Sequence, residues 1–564
     1  MFHTRPALNR IYPKLIFSCF SLFIWILPLL IFTSEQTSLM AHDEGLYAGR
    51  AKMMLDSGDW IHPWASSHHK TPGYYWIIAC SYKLFGVTEF GVRFPSIIFG
   101  ISCILILYEI SKIIFNIRIA WLTGAIFSVE FLWLQYCRLG NPDVVMIFLF
   151  LLAILALLKA EKHSQNRCFL DLIAGFSLSL GFLVRSFMIF LPIMALFPYL
   201  LGEYRRHRHL NSPFLYLGFI IGLIPTFIWI WLSFLHYGNG GVTELANFAI
   251  RLGSNERQGN GILFYFWNIP IKSFPWFFFA VFGWILKVKN PLPKYQLLIV
   301  GFPVVLFLEL TFFSTRLSHY SLCLYPFIAM LAAIALDHLI KIYQLELNDQ
   351  YIDFEDTYQP LRGIQVLTRK KQPIGMKEFS LIRNFSYIWG FFGVLTLFVT
   401  SLIMTFDNPN FNRYGTLCFV CGFSFLIVPM IFWGRYHRKI KFLSAAYWVA
   451  GYLIPAWLGL AVAGGSGFLG NYNPDFKTFV EQPAIAQVLK SSPVNFVGTG
   501  GKSEVLMSFY TRTSGMHTEN VANLFPGSYA WISNNNLAKA SWQYEILGKI
   551  KEYSLIRIKT NLTE

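Results

Sequence analysis

Residues 40–72 read MAHDEGLYAGRAKMMLDSGDWIHPWASSHHKTP and concentrate groups that do chemistry directly behind an apolar run. Asp43 and Glu44 form an acid pair. Arg50, Lys52 and Lys70 bring positive charge, and His42, His62, His68 and His69 bring titratable nitrogens. Trp60, Trp64, Tyr74, Tyr75 and Trp76 are aromatics of the kind that sit at membrane–water boundaries. An acid pair, a lysine and an aromatic rim at a membrane surface suit a site that handles a lipid-borne polar substrate. Asp43 is the candidate base. A carboxylate near a low-dielectric boundary can take a proton from a hydroxyl and polarise it for attack. The structural alternative is that Asp43 caps a helix starting near Glu44.

Other candidates are scattered along the chain. Asp143 lies in RLGNPDVVM, where it either starts a helix or faces the same cavity as Asp43. Lys70, in HHKTPGYYW, joins Arg251 and Arg316 in a same-side cationic set suited to a phosphate leaving group. Arg185 stands between two apolar stretches and either snorkels or lines a polar cavity. His319 and Tyr320, in STRLSHYSLCLYP, open a further apolar run. His68 and His69 with Asp43 invite a divalent metal, but their spacing fits no zinc signature, so no cofactor is assigned.

These residues must be positioned by a membrane frame. Of 564 residues, 55% are hydrophobic and only 13% charged, which excludes an ordinary soluble enzyme. The net charge of +16 contains no basic tract that would follow nucleic acid. The eight cysteines fall mostly inside apolar runs; Cys418-x-x-Cys421 reads as small apolar packing, not a metal or redox pair.

About thirteen apolar runs read as spans, from Leu15–Thr33 to Ala445–Val462, with Phe274–Leu286 among the shortest. The first lacks a cleavage site and is expected to be retained. With the N-terminus in the cytoplasm, the inner loops hold Lys112 and Arg118, then Lys159, Lys162 and Arg167, then Arg205, Arg206 and Arg208. Lys287, Lys289 and Lys294 follow, and then Arg435 to Lys441, as the positive-inside rule requires. An odd number of spans places the C-terminus outside. Residues 341–384 interrupt the pattern as a polar cytoplasmic insertion, amphipathic or partly disordered.

The reading is therefore an α-helical polytopic membrane protein over residues 1–463. Its catalytic first outer loop covers 34–92, and a small extracytoplasmic α/β domain covers 464–564. In that domain Pro483–Lys490 reads as a helix, and Asn495–Gly498, Tyr529–Ile532 and Ser554–Ile558 as strands. GTGGKS at 498–503 imitates a phosphate loop, but Phe496 stands where that pattern needs glycine.

DEGLYAGRAKMML, SGDWIHPW, KTPGYYW, LFGVTEFGVRFPS, NPDVVM and TRLSHYSLCLYP occur in an order and spacing that resembles the bacterial aminoarabinosyltransferases of lipid A. They are similar too to the wider protein O-mannosyltransferase superfamily and the related galacturonosyltransferases. The resemblance covers roughly the first 340 residues. It implies a GT-C fold and a polyprenyl-phosphate-linked sugar as donor, used at the outer face of the inner membrane. Asp43 matches the acid after the first span, and Lys70 the lysine of the donor-phosphate motif. Arg251 and Arg316 are looser matches in later outer loops. In that scheme Asp43, Glu44 and Asp143 supply the catalytic acids, and Lys70, Arg251, Arg316, Tyr74, His319 and Tyr320 hold the donor phosphate. The sequence departs from the family where His69 and Gly73 replace a Glu and a second Pro, and where Asn247 stands in place of a histidine. Arg316 also stands where Lys is common, and these changes weaken the case for aminoarabinose and for a metal.

The expected function is inverting transfer of the sugar to a lipid, glycan or protein acceptor in contact with membrane lipids. Two rivals come from other classes: a lipid or polysaccharide transporter, and a binding protein with a dead site. Transporters often carry internal repeats, and DEGLY does not recur in this chain.

Overall fold

Short polar side chains cap several of the long helices. The computed structural model describes residues 18–32, 34, 36–64, 70–254, 260–352, 376–406, 409–440, 442–537 and 543–559. Its first ten α-helices of seven or more residues are α1 Cys19–Ile31, α2 Asp43–Ser57, α3 Gly73–Phe85, α4 Glu89–Ile114, α5 Ile117–Ser128, α6 Phe131–Cys137, α7 Pro142–Lys162, α8 Arg167–Arg185, α9 Phe190–Gly202 and α10 Pro213–Tyr237. Thr88 accepts from Gly91 N at the head of α4, and Asn116 from Arg118 N and Ile119 N at the head of α5. Asn141 accepts from Asp143 N at 2.8 Å, with Pro142 at the first helical position of α7.

Eight helical stretches among the described residues are long and apolar enough to cross a membrane, or up to ten if each of two bent pairs is one span. Cys19–Ile31 and Leu297–Phe312 are shorter apolar helices. The expected span 119–137 is bent by 69° between α5 and α6. The short run Phe274–Leu286 is half of a second bent pair, Phe264–Lys272 and Trp276–Lys289, which meet at 108°. Pro270 and Pro275 lie at that corner and withhold two backbone donors, so a straight helix cannot be continued there. Ser318–Gln344 is the most interior crossing, 94% buried, whereas Ser380–Met404 is only 22% buried and shows an apolar surface suited to lipid.

Close helix packing fixes α8 against α10. A Cβ on Gly175 would come within 1.9 Å of Leu215 O, and one on Gly218 within 2.1 Å of Leu172 O. The glycines thus let the α8 and α10 backbones touch, as small residues do in membrane helix pairs. At the end of α8, Ser186 takes a positive φ of 55° and the chain breaks into a short 3-10 turn before α9.

The insertion is flanked by helices that run into it, Tyr325–Ile352 and Met376–Met404, and residues 353–375 lie outside those described. The C-terminal domain is a five-stranded sheet: β1 Pro493–Val497, β2 Thr513–Thr518, β3 Tyr529–Ser533, β4 Tyr544–Ile550 and β5 Tyr553–Ile558. The order is β2-β1-β3-β5-β4, with β1 parallel to β2 and β3, and β5 antiparallel to β3 and β4. β2 and β4 have no counterpart in the sequence reading, because they are edge strands whose side chains stay largely open to water. The GTGGKS loop joins β1 to the helix Gly501–Tyr510, and Phe496 is buried in the sheet.

This domain sits on the helices of the first outer loop. Lys52 Nζ donates to Ser508 O at 2.8 Å and also to Thr511 O. Glu89 accepts from Lys477 Nζ and Tyr510 Oη, both at 2.9 Å. One apolar cluster runs through Tyr47, Tyr75 and Val92 into Phe476, Met507 and Trp531. The outer loop and the sheet domain are therefore packed as one body around the start of α2.

Candidate active site

Asp43 is the first residue of α2. The cap position belongs to His42, which makes no side-chain capping bond, so Asp43 is not the cap that the sequence allowed. Its negative charge at a helix N-terminus is favoured by the helix dipole. The side chain is half-buried and makes no hydrogen bond or ion pair among the described residues. It lies within electrostatic reach of Tyr136, His319, Tyr320 and Tyr472.

Glu44 points the other way. It is 1% exposed and takes Arg93 Nε at 2.7 Å and Nη2 at 3.0 Å. Gly140 N and Met40 N each donate to it at 2.9 Å. Arg93 spends its other donors on the carbonyls of Ser34, Thr37 and Ser38 and on Thr37 Oγ1. Both oxygens of Glu44 are occupied in a knot that ties the loop before α2 to the loop before α7. Of the acid pair, Asp43 is the open carboxylate.

Asp143 both starts α7 and faces the site. It is buried and bound by Arg185, with Nε–Oδ1 at 2.6 Å and Nη2–Oδ2 at 3.1 Å. The third corner of the guanidinium, Nη1, reaches Tyr47 Oη at 3.0 Å. The Lys70 ammonium stands over the Tyr47 ring, 4.4 Å from its centroid. Lys70, Arg185, Tyr47, Tyr320, Ser186 and Phe248 share one small pocket. Ser186 is buried there, and its hydroxyl has no hydrogen-bond partner among the described residues.

His319 stacks on Tyr136 at 5.5 Å and meets Tyr320 edge-on at 4.7 Å. Tyr472, from the loop entering the outer domain, takes Gln135 Nε2 at 3.0 Å. Burial, then the charge of Glu44, pushes its phenol up to about 12, so it stays a neutral donor.

The remaining candidates stand back from this pocket. Tyr74 is fully buried, bonds Ser96 Oγ at 2.9 Å and props Tyr47 edge-on at 5.4 Å. Arg316 is buried, with Nε on Thr311 O at 3.1 Å and Nη1 on Asn260 O at 2.9 Å, and so ties the segment at Asn260 to the end of the helix Phe302–Phe312. Arg251 is exposed on the helix Gly240–Ser254 and lies 3.5 Å from Glu244. It stands one turn beyond Phe248, a pocket residue, on the same helix face. His68 and His69 lie outside the described residues, and among those described no group of three His, Cys, Asp or Glu could hold a metal.

Sequence reasoning missed Tyr47 and Ser186. The signal for Tyr47 was its spacing, four residues after Asp43 on one helix. For Ser186 it was the charged break between two apolar stretches, which marks an interrupted span.

The family model for dolichyl-phosphate-mannose-protein mannosyltransferase matches residues 69–231, which include Lys70, Asp143 and Arg185. A solved structure of ArnT from Cupriavidus metallidurans bound to undecaprenyl phosphate superposes over 98% of both chains with a TM-score of 0.71 at 16% identity. The chain has the GT-C glycosyltransferase fold. Within that fold group, the Archaeoglobus fulgidus oligosaccharyltransferase is more distant, with a TM-score of 0.52 at 13% identity over 91% of this chain and 64% of its own. An uncharacterised protein of Aquifex aeolicus is 27% identical over 61% of this chain and 70% of its own length. The undecaprenyl phosphate-alpha-4-amino-4-deoxy-L-arabinose arabinosyl transferase of Aeromonas salmonicida is 30% identical over 33% of this chain. The match spans about a third of that relative, 34%. In GT-C terms the open carboxylate and the cationic pocket lie beside the first outer loop, at the start of α2 and at the ends of α7 and α8 that meet it.

Proposed function

We propose that this chain transfers a sugar from a polyprenyl-phosphate donor to an acceptor hydroxyl or amine at the membrane surface. The observation that carries this reading is the open Asp43 carboxylate, which shares its electrostatic surroundings with a walled cationic pocket. The similarity in fold to ArnT bound to undecaprenyl phosphate, and in sequence to an undecaprenyl phosphate-alpha-4-amino-4-deoxy-L-arabinose arabinosyl transferase, supports that donor class.

The chemistry follows from the side chains. Asp43 takes the acceptor proton as the acceptor attacks the anomeric carbon. The bond from that carbon to the phosphate oxygen breaks, and polyprenyl phosphate leaves with the electron pair. Lys70 meets the growing negative charge as a point charge, and the Ser186 and Tyr320 hydroxyls offer donors beside it. Arg251, one turn from Phe248 on the same helix, would complete the phosphate clamp by leaving Glu244 and turning towards the donor. Arg185, balanced by Asp143 and held by Tyr47, fixes the wall beside Lys70. Because phosphate is a good leaving group, no separate acid is required, and one displacement inverts the anomeric centre. Arg316 braces the loop behind the clamp.

Incubating the purified chain with polyprenyl-phosphate sugars and an envelope lipid extract tests this. Release of polyprenyl phosphate that depends on acceptor is the expected result. Translocation of the donor without release would make the chain a transporter. Binding without either would leave it a dead-site binder.

A further inference from the structure

The far end of α7 carries a second polar centre that the transfer reaction does not use. Asp143 and Glu161 stand at opposite ends of this helix, so at about 1.5 Å per residue they are separated by roughly the thickness of a membrane core. Around Glu161 lies a pocket of about 300 Å³, lined by Lys162, Arg167, Arg206, His207, Lys294 and Tyr295, among others. It is at the lower end of the size range of ligand pockets.

Charge within this pocket is unbalanced. Glu161 is its one carboxylate, and it already binds Arg206 and the Tyr199 hydroxyl. Arg167 lies 3.5 Å from Asp171, which is itself buried and bound by His209 at 3.0 Å. Lys162 reaches only a carbonyl, Ile113 O, at 3.2 Å, and neither it nor Lys294 has a carboxylate partner among the described residues. The floor is rigid. His207 is 3% exposed and stacks on the wholly buried His209 at 4.5 Å, while Arg206 lies over the Tyr295 ring at 5.2 Å. The result is a pocket with a rigid floor and two exposed lysines that no carboxylate among the described residues neutralises.

Apolar surface adjoins it. Phe169 follows Arg167 by two residues and is 65% exposed, and Leu201, near the end of the helix leading to Arg206, is 55% exposed. Such side chains beside a cationic pocket at the end of two membrane helices fit a headgroup above and acyl chains below. Basic pockets between helices at the cytoplasmic surface bind anionic lipid headgroups for this reason. We infer that the pocket around Lys162, Arg167 and Lys294 binds the phosphodiester headgroup of an anionic membrane phospholipid, on the membrane face opposite the Asp43 site.

The full chain in nanodiscs tests this without any transferase assay. In pure phosphatidylcholine, added phosphatidylglycerol or cardiolipin should be retained through washing and should raise Tm. Lys162→Gln combined with Lys294→Gln should weaken that retention by roughly tenfold or more, since each surface cation contributes an appreciable electrostatic attraction. Tm in phosphatidylcholine alone should not change. Lys294→Gln by itself, an exposed change, should give a smaller loss in the same direction and covers the case where the double variant does not fold. Equal retention of anionic lipid by the wild type and Lys294→Gln overturns the inference. So does an equal gain in Tm from inorganic phosphate in phosphatidylcholine discs, which would make this a soluble-anion site.

Discussion

Arg185 grips Asp143 through both ends of its fork, at 2.6 Å and 3.1 Å, and turns its remaining nitrogen to Tyr47 at 3.0 Å. The pair joins the end of α8 to the start of α7 in a place with little water. A buried pair loses about 3–5 kcal/mol when one partner is removed, because the other charge is left uncompensated. Asp143→Ala should therefore lower Tm sharply and abolish transfer. Adding Arg185→Met to it should restore much of the Tm but not the transfer. A double-mutant cycle on both readouts checks this.

Asp43 makes no bond that folding depends on. Asp43→Asn keeps its volume and loses the base. Transfer should fall by about 10²–10⁴-fold, while stability falls by no more than about 1 kcal/mol, the helix-dipole contribution that the charge supplies. Rates of polyprenyl phosphate release in a reconstituted assay decide it. Retention of full activity would remove Asp43 from the mechanism.

Glu44 should give the opposite pattern. Glu44→Gln leaves Arg93, which is 0% exposed, without its counter-charge. The expected loss is in folding, about 3–5 kcal/mol, seen as reduced Tm and proteolysis in the loop before α2. Activity per folded molecule should change far less than in Asp43→Asn. A variant that folds normally but is inactive would move the chemistry to Glu44.

Much of this was legible in the sequence, for physical reasons. Long apolar runs announce crossings because lipid tolerates nothing else, and Asn-Pro-Asp announces the start of α7 because its cap needs a short acceptor. Asp43 and Lys70 stood out because charge beside an apolar run is costly. What the sequence left open was which way a side chain points. Asp43 and Glu44 are neighbours, yet a helix turns successive residues about 100° apart, so one faces the cavity and the other Arg93. Arg316 and Arg251 look alike in sequence, but one is buried against carbonyls and the other is exposed. Bent crossings, as at Glu130 and Ser273–Pro275, have hydropathy close to that of straight ones.

Lys52 locks the outer domain to α2 through Ser508 O and Thr511 O. Burial pulls its ammonium below the ordinary lysine value, with Asp56 opposing. The folded chain thus holds this proton less readily than the unfolded chain. The linked cost is present at neutral pH and is relieved as pH rises through the folded value towards the unfolded one. Lys52→Met removes that pH dependence but leaves two buried carbonyls unpaired, at about 1–3 kcal/mol each. Tm measured against pH should be lower at neutral pH and flatter above it. An unchanged curve would show that the lock contributes nothing.

His62 couples the first outer loop to acidity. Its ring stacks on His236 at 4.6 Å with 4° between planes, its Nε2 lies 3.3 Å from Ser233 Oγ, and Tyr237 crosses it edge-on. Tyr237 Oη also donates to Trp64 O at 2.6 Å, six residues before Lys70 in the chain. Burial, then the charge of His236, lowers the His62 imidazole below its ordinary value of 6.5, while Asp59 acts the other way. A depressed folded value means that the unfolded or detached loop takes the proton first. The stack therefore contributes its full stability above 6.5, and part of that contribution is lost as pH falls through the folded value. Donor KM should rise on that acid limb as the loop carrying Lys70 loosens. His62→Phe keeps an aromatic stack and cannot take up a proton, so its KM should stay flatter over the same range. Superimposable profiles for the two proteins would show that this stack does not govern the loop.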